Sequence, residues 1–214
     1  MSRVIRAVMV EGQAILDAGA VDDVVAVLRK GGLIVYPTDT LYGLGADAFN
    51  PDAVARVFAA KQRPPGQMIS VLVPNLDAAK DFAFISPRAD TLCRRWLPGP
   101  LTLLFRPAAS APKYLVSPEN TIAIRVPKHA VALLIAKRFG PITATSANLH
   151  DKPAPVEAWQ AAEQLGDNVE LYVDAGPCPV GRESTIVDFS GPEPRVIREG
   201  AVSADRLGLV GRRR

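Results

Sequence analysis

Apolar and polar positions recur with two different periods along this chain, and the switches between them outline its elements. Val21, Val24, Val25 and Leu28 return at helical spacing and stop at Gly31-Gly32; an unbroken apolar run, Leu33 to Tyr36, then has the length of a buried strand. Asn50 followed by Pro51 is an N-cap with a first-turn proline. It predicts a helix with Val54, Val57 and Phe58 on its apolar face, running into Lys61. The loop RPPGQ leads to a strand at Ile69–Val73, and Ser86-Pro87 opens a helix through Leu92 and Trp96 that Pro98-Gly99-Pro100 breaks. Strands are expected at 101–106, 121–126 and 141–146, with a helix through Val131, Leu134 and Ile135 between the last two, ending at Gly140. A helix at 156–165 and strands at 169–174, 184–189 and 195–198 complete the pattern. Strands alternating with helices, and hairpin-like spacings near the C-terminus, predict a single α/β domain on one twisted, mixed sheet.

Composition narrows the function little. Basic and acidic residues nearly balance, 25 against 22, which argues for neither nucleic acid nor a membrane surface. Part of the excess sits in the basic C-terminal stretch 206–214, ending GRRR, where a solvated terminus is favoured over an RNA contact. Cys93 and Cys178 stand far apart without a CxxC, as reduced thiols of a cytoplasmic protein do. No apolar run reaches the length of a membrane span.

The chemistry gathers at strand ends. Pro37-Thr38-Asp39-Thr40 closes the first strand, Thr143 to Asn148 closes the one near 141, and Ser184-Thr185 opens another. In open α/β sheets such ends form ligand crevices, and hydroxyls and amides hold a polar ligand without burying several charges. Any one of these clusters is also explained as a cap or turn. Arg125 lies inside the apolar run TIAIRV and Arg198 ends PRVIR; each reads as an anion binder or as half of a structural ion pair. Lys61 and Arg63, two apart beyond a helix, read as anion ligands or as a solvated helix end. No phosphate-loop, dinucleotide or GxSxG signature is present, and His129 and His150 lack partners at metal-ligand spacing. Positioning and fixed charge are therefore expected to carry the activity.

KGGLIVYPTDTLYGLGADAFN, AKQRP, PGPLTLLF, IAIRVP, TSAN, and ESTIVDF followed by VIREG stand in the order and approximate spacing of the YrdC-like family. The chain resembles that family over about residues 15 to 205. Its best-known members are the threonylcarbamoyl-adenylate synthases. The resemblance implies a mixed, twisted sheet with a concave basic cleft, and a nucleotidyltransferase using L-threonine, bicarbonate and ATP, with Mg²⁺ carried by the nucleotide and no metal held by the protein. N-carboxythreonine attacks the α-phosphate, pyrophosphate leaves, and a separate transferase complex passes the threonylcarbamoyl group to the adenosine beside the anticodon of ANN-decoding tRNAs. By motif, Thr40, Arg125 and Ser184 resemble threonine contacts. Lys61 and Arg63 match the K-x-R motif at the phosphates, and Thr121, Ser146, Asn148 and Arg198 resemble further nucleotide contacts. The chain departs from the family pattern at Met68, at His150-Asp151 and at Ala154. An alternative stays open, a protein of the same fold that contacts tRNA or double-stranded RNA without synthase activity; an aromatic content of 6% counts against base stacking.

Overall fold

The computed structural model describes residues 2–64 and 66–209; the terminal GRRR lies outside the described residues. The chain opens with β1 (Arg3–Arg6), β2 (Val8–Val10) and β3 (Gln13–Ile15), followed by α1 (Ala18–Arg29), β4 (Ile34–Tyr36), β5 (Gly43–Gly45) and α2 (Pro51–Ala60). It continues through β6 (Ser70–Leu72), β7 (Ala83–Phe84), α3 (Pro87–Cys93), β8 (Leu101–Pro107), β9 (Ile122–Arg125) and α4 (Ala130–Phe139). After these come β10 (Ile142–Thr143), β11 (Thr145–Ser146), α5 (Ala158–Leu165), β12 (Leu171–Asp174), β13 (Thr185–Asp188), β14 (Arg195–Arg198) and α6 (Ala204–Leu207).

The helix starts follow from their caps. Asn50 Oδ1 accepts from the amides of Asp52 and Ala53 at 3.0 and 3.2 Å, and Ser86 accepts from Ala89 at 3.2 Å, each just before a first-turn proline.

Apart from the antiparallel pair β2–β3, the strands form two mixed sheets where the sequence predicts one. The first runs β1-β12-β4-β5-β11, and the second β10-β6-β9-β8-β13-β14 with β7 on β8. The expected strand 141–146 is the joint between them. At Ala144 it breaks, so that β10 pairs with β6 in the second sheet and β11 with β5 in the first. Two-residue strands in different sheets keep the same apolar-polar pattern as one strand of six, which is why periodicity cannot separate them. The N-terminal strand Arg3–Arg6 was not anticipated either, and it extends the ordered core ahead of residue 15 by pairing with β12. It is short and largely exposed, so it carries little apolar signal.

β4 is buried on both faces. Leu33 and Val35 join the larger cluster around α2 and the second sheet, while Ile34 and Tyr36 join the cluster under α1 and α4. The Tyr36 hydroxyl donates to Thr143 O at 3.0 Å, and its ring lies across the neighbouring strand. That explains Gly43-Leu44-Gly45. A Cβ on Gly43 meets Tyr36 Cζ at 2.9 Å, and one on Gly45 meets Tyr36 Cε1 at 2.8 Å. The two glycines clear a bed for the ring, and the stretch forms β5 rather than a nucleotide loop. Gly45→Ala should therefore destabilise the fold by about 1–3 kcal/mol through overpacking, read as a fall of several degrees in Tm by calorimetry.

Candidate active site

A cavity of about 430 Å³ takes its wall from the strand ends of both sheets. Thr40, Leu41 and Tyr42 enter from the turn after β4, Arg125 from the end of β9, Ser146 and Asn148 from β11 and the turn beyond it, Ser184 from the start of β13, and Arg198 from β14. Lys61 and Arg63 enter from the end of α2. Of the residues expected at a site, Thr121 alone stays outside this wall. Its buried hydroxyl shares a 2.9 Å hydrogen bond with Ser117 instead.

The spacing of Lys61 and Arg63 is a helix-ending device. The amide of Arg63 donates to Phe58 O at 3.0 Å and that of Gln62 to Ala59 O at 3.0 Å, with Gln62 in the left-handed region at φ 51°. This is a Schellman ending. It reverses the chain so that the residues before and after Gln62 both reach the cavity, and the cations meet the negative end of the helix dipole. Arg63 stacks 5.9 Å above the Phe58 ring, and its Nε donates to Gln67 Oε1 at 2.5 Å.

Lys61 is only 3% exposed. Its ammonium donates to Ser146 O, to Asn148 O at 2.7 Å and to Asn148 Oδ1 at 3.2 Å. Burial and the adjacent Arg63 guanidinium draw its pKa down to about 8, while the three oxygens act to keep the proton. Among the described residues neither Lys61 nor Arg63 is ion-paired with a carboxylate, so their charge stands uncompensated in the wall.

The other cations are partnered. Arg125 Nη2 donates to Thr40 Oγ1 at 2.9 Å and lies 3.4 Å from Asp39 Oδ1. Arg198 bridges Glu183 at 2.8 Å and Ser184 O at 3.0 Å. Arg198 ends its strand as the sequence predicts, but β14 pairs only with β13, at the end of its sheet, and the side chain is 43% exposed. Ser184 Oγ shares a 2.8 Å hydrogen bond with Thr102, a wall residue that sequence reasoning missed. Thr102 sits in the even alternation of LTLLFR, and only the pairing of β8 with β13 brings it beside Ser184.

Several polar residues also serve as turn anchors. Thr38 Oγ1 donates to Leu41 O at 2.6 Å and accepts from the amides of Thr40 and Leu41. Asn148 Nδ2 donates to Leu149 O and Lys152 O at 2.9 and 2.6 Å. The departures from the family pattern border the same space. Met68, His150 and Asp151 line the cavity, and Ala154 lines an adjoining one that shares Leu41, Asn148 and Glu183 with it. Among the described residues no group of three or more His, Cys, Asp or Glu side chains is placed to hold a metal, and no helix is long and apolar enough to cross a membrane.

The Sua5/YciO/YrdC family profile, described as telomere recombination, matches residues 26–200. The chain belongs to that family. A Mycobacterium tuberculosis relative named putative threonylcarbamoyl-AMP synthase is 41% identical over 187 residues, covering 87% of this chain and 86% of that protein. The threonylcarbamoyl-AMP synthase of Bacillus subtilis is 37% identical over 86% of this chain, which spans 54% of that relative's length. Among solved structures, Pyrococcus abyssi Sua5 complexed with L-threonine superposes with a TM-score of 0.88 at 30% identity, covering 99% of this chain and 61% of that one. The mixed α/β architecture with two twisted sheets is thus that of the Sua5/YciO/YrdC family.

The buried ammonium sets a pH signature. Below about pH 8 the folded and unfolded states both hold the Lys61 proton, and the cost of burying it is felt in full. Between pH 8 and the unfolded value near 10.4 the native state sheds the proton first, so this contribution to stability improves as pH rises. A ¹³C titration of the Lys61 side chain should give a midpoint near 8 in the free protein. The midpoint should move upward when inorganic triphosphate is added.

Proposed function

We propose that this protein is a threonylcarbamoyl-adenylate synthase, joining L-threonine, bicarbonate and ATP into threonylcarbamoyl-AMP with release of pyrophosphate. The observation that carries the reading is one cavity wall holding two uncompensated cations, Lys61 and Arg63, together with the partnered set Thr40–Arg125 and Ser184–Thr102. A volume of about 430 Å³ suits a nucleotide-sized ligand.

In this reading Arg125 takes the threonine carboxylate by a charge-assisted hydrogen bond, and Thr40 and Ser184 orient the amino acid. Lys61 and Arg63 take the phosphates. The longest of the three Lys61 hydrogen bonds, 3.2 Å to Asn148 Oδ1, is the one a phosphate oxygen replaces. Ser146, Asn148 and Arg198 flank the nucleotide, while Thr121 closes the 117–121 turn that leads into β9. Magnesium arrives with the ATP.

The reaction brings an anionic carbamate onto an anionic phosphate. The carbamate oxygen bonds to the α-phosphorus, and the bond to the β-phosphate oxygen breaks, so that pyrophosphate leaves with the electron pair. Two fixed cations in a partly dry wall offset that repulsion without reorganising at the moment of attack. Seating both substrates in one cavity supplies the proximity contribution. The product passes to a separate transferase complex acting on tRNA. A cytoplasmic setting accords with two unpaired, buried cysteines.

Incubating the purified protein with ATP, Mg²⁺, bicarbonate and a panel of amino acids should yield pyrophosphate only when threonine and bicarbonate are both present, with the adenylate found by mass. No release with any amino acid overturns the reading, and equal turnover of serine overturns its threonine specificity. Arg63→Ala should lower release about 100-fold, the scale of one transition-state charge contact, with Tm nearly unchanged. Lys61→Ala should lose as much activity and also lower Tm, because it frees the 146–148 turn from three hydrogen bonds.

A further inference from the structure

Among the described residues three buried side-chain nitrogen or oxygen atoms have no hydrogen-bond partner: Asp39 Oδ2, Arg125 Nε and His129 Nδ1. They belong to one neighbourhood. Arg125 and Asp39 form an ion pair with side chains 11% and 5% exposed, and His129 lies close enough to feel the Asp39 charge. Buried polar atoms are nearly always satisfied, so three in one neighbourhood, one of them on a residue of the cavity wall, need a physical account.

The chemistry of the guanidinium supplies one. Arginine offers two forked edges to a carboxylate, one through its two terminal nitrogens and one through Nε and Nη2. The unpartnered Nε and the Nη2 that lies 3.4 Å from Asp39 Oδ1 are both atoms of the side edge. The two Asp39 oxygens are the matching fork, with one engaged at long range and the other unpartnered. Asp39 thus stands behind Arg125, while Arg125 itself reaches the cavity wall. Asp39 is held in place by the Thr38 turn, and its own carbonyl accepts from the Val180 amide at 3.0 Å. His129 does not compete for the carboxylate, because burial lowers its pKa and favours the neutral imidazole.

We propose that Asp39 is a positioning residue. Its carboxylate stands at the Nε–Nη2 side of Arg125, holding it through Nη2, and with Thr40 on the same nitrogen it leaves Nη1 for the carboxylate of the amino-acid substrate. The inference rests on the function proposed above and adds a residue that does not itself touch the ligand. Thr40, bonded to the same Nη2, fixes the remaining rotation.

The test separates this role from the overall reaction. Pyrophosphate release is measured against threonine and against ATP for the wild type, Asp39→Asn, Arg125→Lys and the double variant. The Nε–H signal of Arg125, identified by its loss in Arg125→Lys, is followed by ¹⁵N NMR. Asp39→Asn should raise the threonine KM about tenfold or more, the scale of a lost charge-assisted hydrogen bond, and leave the ATP KM within about twofold. It should add little to the defect of Arg125→Lys and should shift the Arg125 Nε–H signal. Should Asp39→Asn fail to fold, Asp39→Glu, which keeps the charge on a longer arm, should show the same KM split in milder form. An equal rise in both KM values, an unchanged threonine KM or an unmoved Nε–H signal in a folded variant overturns the proposal. The NMR signal needs no turnover, so it still judges Asp39 if the wild type proves inactive with threonine, which would instead overturn the assigned reaction.

Discussion

Holding positive charge out of water at the meeting of two sheets is the constraint the structure is built around. A buried ammonium loses its hydration, and the protein returns only part of it through the carbonyls of Ser146 and Asn148 and the Asn148 amide oxygen. Arg63 rests on the Phe58 ring, and among the described residues no carboxylate pairs with it. A fold that merely wanted stability would neutralise both. Leaving them unneutralised beside a hydroxyl-lined wall stores affinity for an anion. The remaining cations are handled differently: Arg125 and Arg198 each face a carboxylate and present what is left of their donors to the cavity.

Much of this architecture is legible before any coordinates. Asn50-Pro51 and Ser86-Pro87 announce their helices because capping is local chemistry, decided within four residues. The polar ends of buried strands point to the cavity only jointly, because any one of them is also explained as a cap or turn. What the sequence conceals is non-local. Nothing in PITATS marks Ala144 as the point where one sheet ends and another begins. Nothing in LTLLFR marks Thr102 as the partner of Ser184, since that contact exists only through the β8–β13 register. Arg125 and Arg198 look alike as cations closing apolar strands, yet one lies in the interior of its sheet and the other on the strand at its end. Gly43 and Gly45 complete no phosphate-loop signature, and it takes the structure to show that their missing side chains make room for Tyr36.

The K-x-R spacing shows how a short motif acquires physical meaning. Two cations separated by one residue on a regular helix point about 200° apart. Here the helix stops between them, and the left-handed Gln62 folds the second back toward the first. The motif is therefore a statement about where α2 ends as much as about charge. A substitution that prolonged that helix by a turn would disperse the cations without altering either one.

The break at Ala144 leads further. Because one continuous stretch of backbone belongs to both sheets within five residues, the two layers are riveted together at the cavity floor. Thr143 takes the Tyr36 hydroxyl on one side of the rivet, and the carbonyl of Ser146 takes the Lys61 ammonium on the other. The aperture between the layers is thus set by covalent length rather than by the compliance of packed side chains. Ligands of different girth must be accommodated at the open rim, by the segments around Glu183, Arg198 and His150, and not by spreading the sheets.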